Sequence, residues 1–351
     1  MSGTPQGGGL DSRPVADSPH RISIVVPVYQ GELTLDGLIA EIAPLTTPSV
    51  TPDGHPMVVE EVLLVFDHGP DGSAAVIRRL ATEHEWIRPV WLSRNFGQHP
   101  ATLAGMASSG GEWVVTLDED GQHDPADIGG LLDTALRTGS TLVYAEPTNP
   151  APHGAVRNAA SRGAKWALAT LLAADGTQRY QSFRLVLGEV GRSVAAYAGS
   201  QAYLDVALGW IAGEVATSPV HLRDEGDRRS GYRLRTLLSH FWRMVLSSGT
   251  KGLRLVSFLG CAFGIGGLVL MVYVIIGAVF LDDGDVRGWA STMVVLLFGF
   301  GATLFSLGVI AEYVGVSVKT SMGKPPYLIV SDPAAGPLGR TRRVERPPTT
   351  R

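Results

Sequence analysis

The chain has 351 residues, 45% of them hydrophobic and only 18% charged, with 29 basic against 33 acidic side chains and a formal net charge of −4. Its lone cysteine, Cys261, excludes both a disulfide framework and a cysteine-built zinc site. The slightly acidic balance argues against a nucleic-acid partner, the apolar content excludes wholesale disorder, and the low charged fraction means that apolar residues are concentrated somewhere.

Residues 1–20 are rich in Gly, Pro and Ser and read as a flexible tail. They lack the apolar run after a basic start that a signal peptide needs, so the bulk of the chain is expected in the cytoplasm. From Arg21 onward, short β-branched runs alternate with longer segments. Ile22–Val26, Val62–Phe66, Val90–Leu92 and Trp113–Leu117 are continuous apolar runs of strand length, as in strands buried on both faces of a parallel sheet. Leu33–Ile42, Ala74–His84 and Pro100–Ser108 are long enough for crossover helices, which gives an α/β domain over 21–232.

Farther on, Leu234, Leu237, Leu238, Phe241, Trp242 and Val245 recur at helical spacing. This predicts an amphipathic juxtamembrane helix over 233–252, with Arg233, Arg235 and Arg243 placed to meet lipid headgroups. Leu255–Leu281 is free of charge for 27 residues and Gly288–Ala311 for 24. Each is long enough to cross a hydrocarbon core of about 30 Å, which predicts transmembrane helices over 253–281 and 288–314 and a cytoplasmic tail over 315–351. The short loop between them is acidic and both flanks are basic. The positive-inside rule then implies a two-span protein of the plasma membrane with the α/β domain and both termini cytoplasmic. Gly260, Gly264, Gly266 and Gly267 form a small-residue face suited to close helix contact, and so to a homo-oligomer.

The strongest chemical signal is Asp118-Glu119-Asp120 at the end of the run 112–117. In an extended segment, residues two apart share a face, so the Asp118 and Asp120 carboxylates are expected to point together and Glu119 away. Ligands of open parallel sheets gather at the carboxyl ends of strands, and paired hard oxygen donors suit Mg²⁺ or Mn²⁺.

Read together, the linked segments Leu92-Ser93-Arg94-Asn95-Phe96-Gly97-Gln98-His99, Leu103-Ala104-Gly105 and Asp118-Glu119-Asp120-Gly121-Gln122-His123-Asp124-Pro125 resemble the signature of the polyisoprenyl-phosphate glycosyltransferases. These are inverting family 2 enzymes of the GT-A fold, among them dolichyl-phosphate mannose synthases and bacterial undecaprenyl-phosphate sugar transferases. The resemblance extends over most of 21–330. It takes in Pro27-Val28-Tyr29-Gln30-Gly31-Glu32, Gln181-Ser182-Phe183-Arg184-Leu185, Arg228-Arg229-Ser230-Gly231-Tyr232 and Glu312-Tyr313-Val314-Gly315.

The resemblance implies a nucleotide-sugar donor held by Pro27, Tyr29, Glu32, Asp67, Arg94, Asp118 and Gln122, with a divalent ion on Asp118 and Asp120. At Asp67-His68-Gly69-Pro70-Asp71-Gly72-Ser73 the chain departs from the family's Asp-Asp-Gly-Ser-type turn, because His68 replaces the second Asp and the turn is one residue shorter. The acceptor implied is a polyprenyl phosphate, with Arg157, Arg184, Arg228 and Arg229 on its phosphate. Asp120, Ser182 and Arg184 are the residues implied for catalysis. A phosphate monoester with its second pKa near 6 is already an anionic nucleophile at neutral pH, so Ser182, where some members carry Asp, is no obstacle to transfer. His99 and His123 lie near the motif without a third ligand at metal spacing. The chain lacks the Gln-x-x-Arg-Trp motif of processive polysaccharide synthases, the second enzyme class considered. A third reading, a non-catalytic membrane-anchored scaffold, rests on His68 and the shortened turn alone.

Overall fold

Every residue from Ile22 to Val28 is buried in strand β1 (His20–Val28), because β1 runs through the middle of a sheet covered on both faces. A computed structural model describes residues 18–149, 181–198, 203–223, 288–323 and 325–336, together with Val256, Gly260, 265–269, Val272 and Ile276. After β1 come α1 (Leu35–Ile42), β2 (Ser49–Val50), β3 (Pro56–Phe66), α2 (Ser73–Glu83), β4 (Ile87–Leu92), α3 (Gln98–Ser108) and β5 (Trp113–Thr116). Then follow α4 (Ile128–Thr138), β6 (Leu142–Pro147), β7 (Arg184–Leu187), α5 (Gly188–Tyr197), α6 (Leu204–Ile211), β8 (Val215–Val220), α7 (Trp289–Ser321) and β9 (Ile329–Val330).

The strands form one sheet in the order β8-β6-β7-β5-β1-β3-β4-β9, with β2 paired to β3. β1, β3, β4 and β5 run parallel, as do β6 and β8, whereas β7 and β9 are antiparallel to their neighbours. The pleat sorts β1 between two cores. Ile22, Ile24, Val26 and Val28 face one cluster with Leu35, Ile39, Ile77 and Leu131 of α1, α2 and α4. Val25, with Leu63 and Val65 of β3, faces the other, made by α3, α5 and α6. Side chains that alternate while both faces stay apolar make a three-layer α/β sandwich.

The expected pair of membrane spans is corrected. Among the described residues, one helical stretch has the length and apolarity to cross a membrane, Phe298–Val318 within α7, and by length and composition only. Of the stretch 253–281, only Val256, Gly260, 265–269, Val272 and Ile276 are described, all helical. The two-span architecture, and the multi-pass plasma-membrane placement inferred from it, are therefore withdrawn. The physical reason is that a charge-free run measures what a segment is able to cross by length and composition, not that it crosses a membrane. The predicted amphipathic helix at 233–252 lies outside the described residues. α7 leaves Phe298, Phe300, Leu304, Phe305, Leu307 and Ile310 exposed. The region expected as a tail begins inside α7 and contains β9.

One charge is buried at the amino-terminal end of the parallel strands. Glu61 accepts hydrogen bonds from Ser23 Oγ at 2.7 Å and Gly110 N–H at 2.6 Å, and from Arg88. Burial pushes its pKa up, but the bonds from Ser23, Gly110 and Arg88 together carry it below the ordinary value. A depressed folded pKa means stability that is present above the unfolded value, 4.5, and lost as pH falls through the folded one. Glu61→Gln should therefore cost about 1–3 kcal/mol in urea unfolding at pH 7. The gap to wild type should shrink once the pH falls below about 4.5, and a gap unchanged down to pH 3 would contradict the assignment.

Candidate active site

Val28 pairs with Phe66, Phe66 with Trp91, and Val25 with Thr116, so β1, β3, β4 and β5 end side by side. The chain leaves β1 toward β3 and β4 on one side, and the crossover through α3 then returns from β4 to β5 on the other side of β1. The crevice between such strands is where ligands bind in open α/β sheets. Pro27, buried and without an N–H to donate, lies two residues past the last β1–β5 pair, where the strands part. Four loops converge there: 29–34, 67–72, 93–97 and 117–124.

These loops are stitched together by carboxylates that accept backbone N–H groups. β5 stops at Thr116 and Glu119-Asp120 lie in a turn, so strand alternation does not extend through the triplet. Glu119 reaches across to the β1 loop, accepting from Tyr29 N–H at 3.0 Å and Gln30 N–H at 2.9 Å. Glu32 accepts from Gly72 N–H at 2.8 Å, while its own N–H donates to Asp71 at 3.2 Å. Ser73 Oγ donates to Asp71 at 2.6 Å and accepts from Gly31 N–H at 2.8 Å. The Asp71 carboxyl is consequently held below its ordinary pKa; burial opposes this, and the Ser73 and Glu32 donors outweigh it. Gly69 is required by closeness, since a Cβ there would lie 1.6 Å from the Tyr29 carbonyl oxygen.

Asp67, only 3% exposed, accepts from Phe96 N–H at 2.7 Å and Gly97 N–H at 2.8 Å. Burial raises its pKa against the pull of those two donors and of His68 and Arg94. Asp67 thus grips the loop that carries Arg94. Gly97 makes that grip feasible with a φ of 95°, which side-chain-bearing residues rarely adopt. His68 is itself left-handed, with φ 56°, its ring nitrogen Nδ1 3.1 Å from the Leu92 carbonyl oxygen. Tyr29 is exposed, as is Arg94, whose guanidinium stacks 4.2 Å over the Phe96 ring.

Asp118 accepts from Gln98 Nε2 at 2.6 Å through one oxygen and from Ser182 Oγ at 2.5 Å through the other. Asp120 accepts from Gln122 N–H at 3.1 Å. Arg223 N–H donates to the Gln122 carbonyl at 3.0 Å, and its guanidinium joins Asp124 at 2.6 Å to Glu41 of α1 at 2.8 Å. His123 is buried 5.1 Å from the Phe183 ring, and His99 lies tilted against Tyr203, ring centres 4.2 Å apart. Among the described residues no three or more His, Cys, Asp or Glu gather at metal spacing. Carboxylate oxygens such as those of Asp118 and Asp120 are of the hard-donor type that Mg²⁺ or Mn²⁺ takes, one or two at a time, with phosphate oxygens completing the shell.

Arg184 is placed differently from the acceptor contact that resemblance implied. It is 3% exposed and paired with Asp205 of α6, which also accepts from Tyr144 Oη at 2.9 Å. Burial raises the Asp205 pKa, with Arg184 and then Tyr144 opposing it. Arg184 Nε lies 3.4 Å from the Ser182 carbonyl oxygen, which also accepts from Thr116. The guanidinium therefore braces the backbone that aims Ser182 at Asp118. Arg157, Arg228 and Arg229 lie outside the described residues. Sequence reasoning missed Gln98, Asp71 and Asp205. Only Asp71 carried a signal, as an Asp two residues before the Ser that opens a helix.

Residues 23–184 match the family model described as glycosyl transferase family 2. Two similar relatives are the undecaprenyl-phosphate 4-deoxy-4-formamido-L-arabinose transferases of Salmonella paratyphi B and Salmonella newport. Each is 27% identical over 337 residues, covering 91% of this chain and 94% of the relative. Among solved structures, glucosyl-3-phosphoglycerate synthase from Mycobacterium tuberculosis in complex with Mn²⁺, UDP-glucose and phosphoglyceric acid aligns with a TM-score of 0.46 at 20% identity. That alignment covers 71% of this chain and 85% of the other.

Removing one partner of a buried ion pair leaves the other charge uncompensated. Arg184→Ala should lower unfolding stability by about 3–5 kcal/mol. A variant of wild-type stability with only a raised acceptor KM would show instead that the guanidinium serves the acceptor.

Proposed function

We propose that this chain, a glycosyltransferase homologous to the family 2 enzymes and working on nucleotide-sugars, transfers a single sugar with inversion to a polyprenyl phosphate. The observation that carries this reading is that the loops bearing Arg94 and Asp118 follow the carboxyl ends of β4 and β5 and are tied together where Gln98 donates to Asp118. Two features support a lipid acceptor. The full-length relatives named for undecaprenyl phosphate match over 91% of this chain, and α7 presents an exposed apolar surface suited to a polyprenyl tail.

In this reading the nucleotide lies against Pro27, Tyr29 and the 67–72 turn, whose shape Glu32, Asp71 and Asp67 maintain. Arg94 offers paired N–H donors to the diphosphate. Asp118 and Asp120, with Gln122 close to them in sequence, would hold the divalent ion. That ion, when bound, stabilises the charge growing on the departing nucleoside diphosphate. An acceptor phosphate oxygen attacks the anomeric carbon from the face opposite the diphosphate; the new C–O bond forms as the bond to the leaving group breaks. Because the nucleophile is already anionic, Ser182 has no proton to remove, and its task is to fix Asp118. Arg184 is a positioning residue for Ser182. The acceptor phosphate is assigned to Arg157, Arg228 and Arg229.

The test is turnover of purified full-length protein with Mn²⁺ or Mg²⁺, polyprenyl phosphate and a panel of UDP-, GDP- and dTDP-sugars. One donor class should give a lipid carrying one sugar. Chelation should abolish this, and Asp120→Ala should lower kcat by about 10²–10³-fold. Full activity in that variant would overturn the metal assignment. Long polymer as the product, or none from any donor, would overturn the acceptor assignment.

A further inference from the structure

After α7 the chain returns to the sheet. β9 pairs antiparallel with β4, Val330 opposite Trp91 and Ile329 opposite Leu92. The pairing does not stop where β4 ends, because Ser93 N–H donates to the Leu328 carbonyl at 3.0 Å. It thereby enters the loop 93–97 that carries Arg94. Tyr327 and Phe96 pack against the same core cluster. Asp332 fastens the far end with two parallel bonds from Arg78 of α2, Nε and Nη2 each at 2.7 Å. The same guanidinium lies 4.8 Å over the Trp91 ring of β4, and the Asp332 carbonyl accepts from Ala335 and Gly336 at 3.0 Å.

Two grips therefore hold the loop 93–97. Asp67 takes the Phe96 and Gly97 N–H groups from the β3 side, and Leu328 takes the Ser93 N–H from the outer edge. Arg94 stands between them. Covering an exposed strand edge requires pairing along β4 alone; pairing that runs on into the loop fixes the loop as well.

We infer that residues 326–332 are part of the donor site, as a positioning clamp that holds the loop 93–97 and sets Arg94 for the nucleotide-sugar diphosphate. The inference rests on the reading that places the donor at these loops and is independent of the acceptor.

The test uses the full-length protein with Arg78→Ala, Asp332→Ala and the exchanged pair Arg78→Asp/Asp332→Arg. Amide hydrogen exchange is followed over 93–97, and affinity is measured for UDP, GDP and dTDP in the presence of Mn²⁺. Each single variant should exchange faster at 93–97 and bind the preferred nucleotide about three- to tenfold more weakly, as for the loss of one bidentate pair, and the exchanged pair should recover most of both. Unchanged exchange at 93–97 would overturn the clamp while leaving the donor reading intact. Faster exchange with unchanged nucleotide affinity would overturn the inference by separating the loop from the donor. A wild-type protein that binds none of the three nucleotides would overturn the donor reading itself, before any variant is compared.

Discussion

Carboxylates that accept pairs of backbone N–H groups hold the loops of this site in place. Glu119 takes two from the β1 loop, Asp67 two from the β4 loop, and Glu32 one from the β3 turn. Each bond runs from one loop to its neighbour. Loops at strand ends have backbone donors that the sheet no longer satisfies, and a buried donor left unpaired costs about 1–3 kcal/mol. Answering those donors with charged acceptors makes the loops interdependent and leaves their other faces open to a ligand.

This stitching recasts the charge of the chain. Residues 1–222 carry a net charge of −11, an odd balance for a protein proposed to bring an anionic acceptor to a nucleotide-sugar diphosphate. Much of the acidity faces backbone rather than substrate. Asp67 and Glu119 spend their charge on N–H groups, and Asp124 and Glu41 are joined by Arg223. What faces the crevice is therefore less negative than the sum suggests, with Arg94 as its exposed cation. A divalent ion on Asp118 and Asp120 would shift the balance further.

The buried Arg184–Asp205 pair obeys a related logic. A fully desolvated pair contributes little net stability, since the cost of stripping water from both charges is comparable to their attraction. Its value lies in geometry: it ties β7 to α6 and braces the carbonyl of Ser182, whose hydroxyl orients Asp118. The β9 segment does similar work from the opposite edge of the sheet. The site is thus held from its two flanks by elements that lie late in the chain.

The sequence by itself was enough for the α/β core, because buried parallel strands must be apolar on both faces and crossover helices must be long enough to return. It also offered Asp118, Asp120 and Arg94 as candidates, since linked motifs in a fixed order are a local property of the chain. It overreached in the apolar region, where a charge-free run states a capacity to cross a membrane and not a crossing. Nor did it show the partners of Asp67 and Arg184, because the Phe96 and Gly97 amides come from a distant loop and Asp205 from a distant helix. The return of residues 326–332 to the β4 edge was equally hidden, for a two-residue strand carries no periodicity. Local patterning settles which residues are buried and which elements form. Which carboxylate meets which backbone donor of a neighbouring loop is decided only when the sheet sets its strand ends side by side, since the contacts of Glu119, Asp67 and Glu32 join residues far apart in sequence.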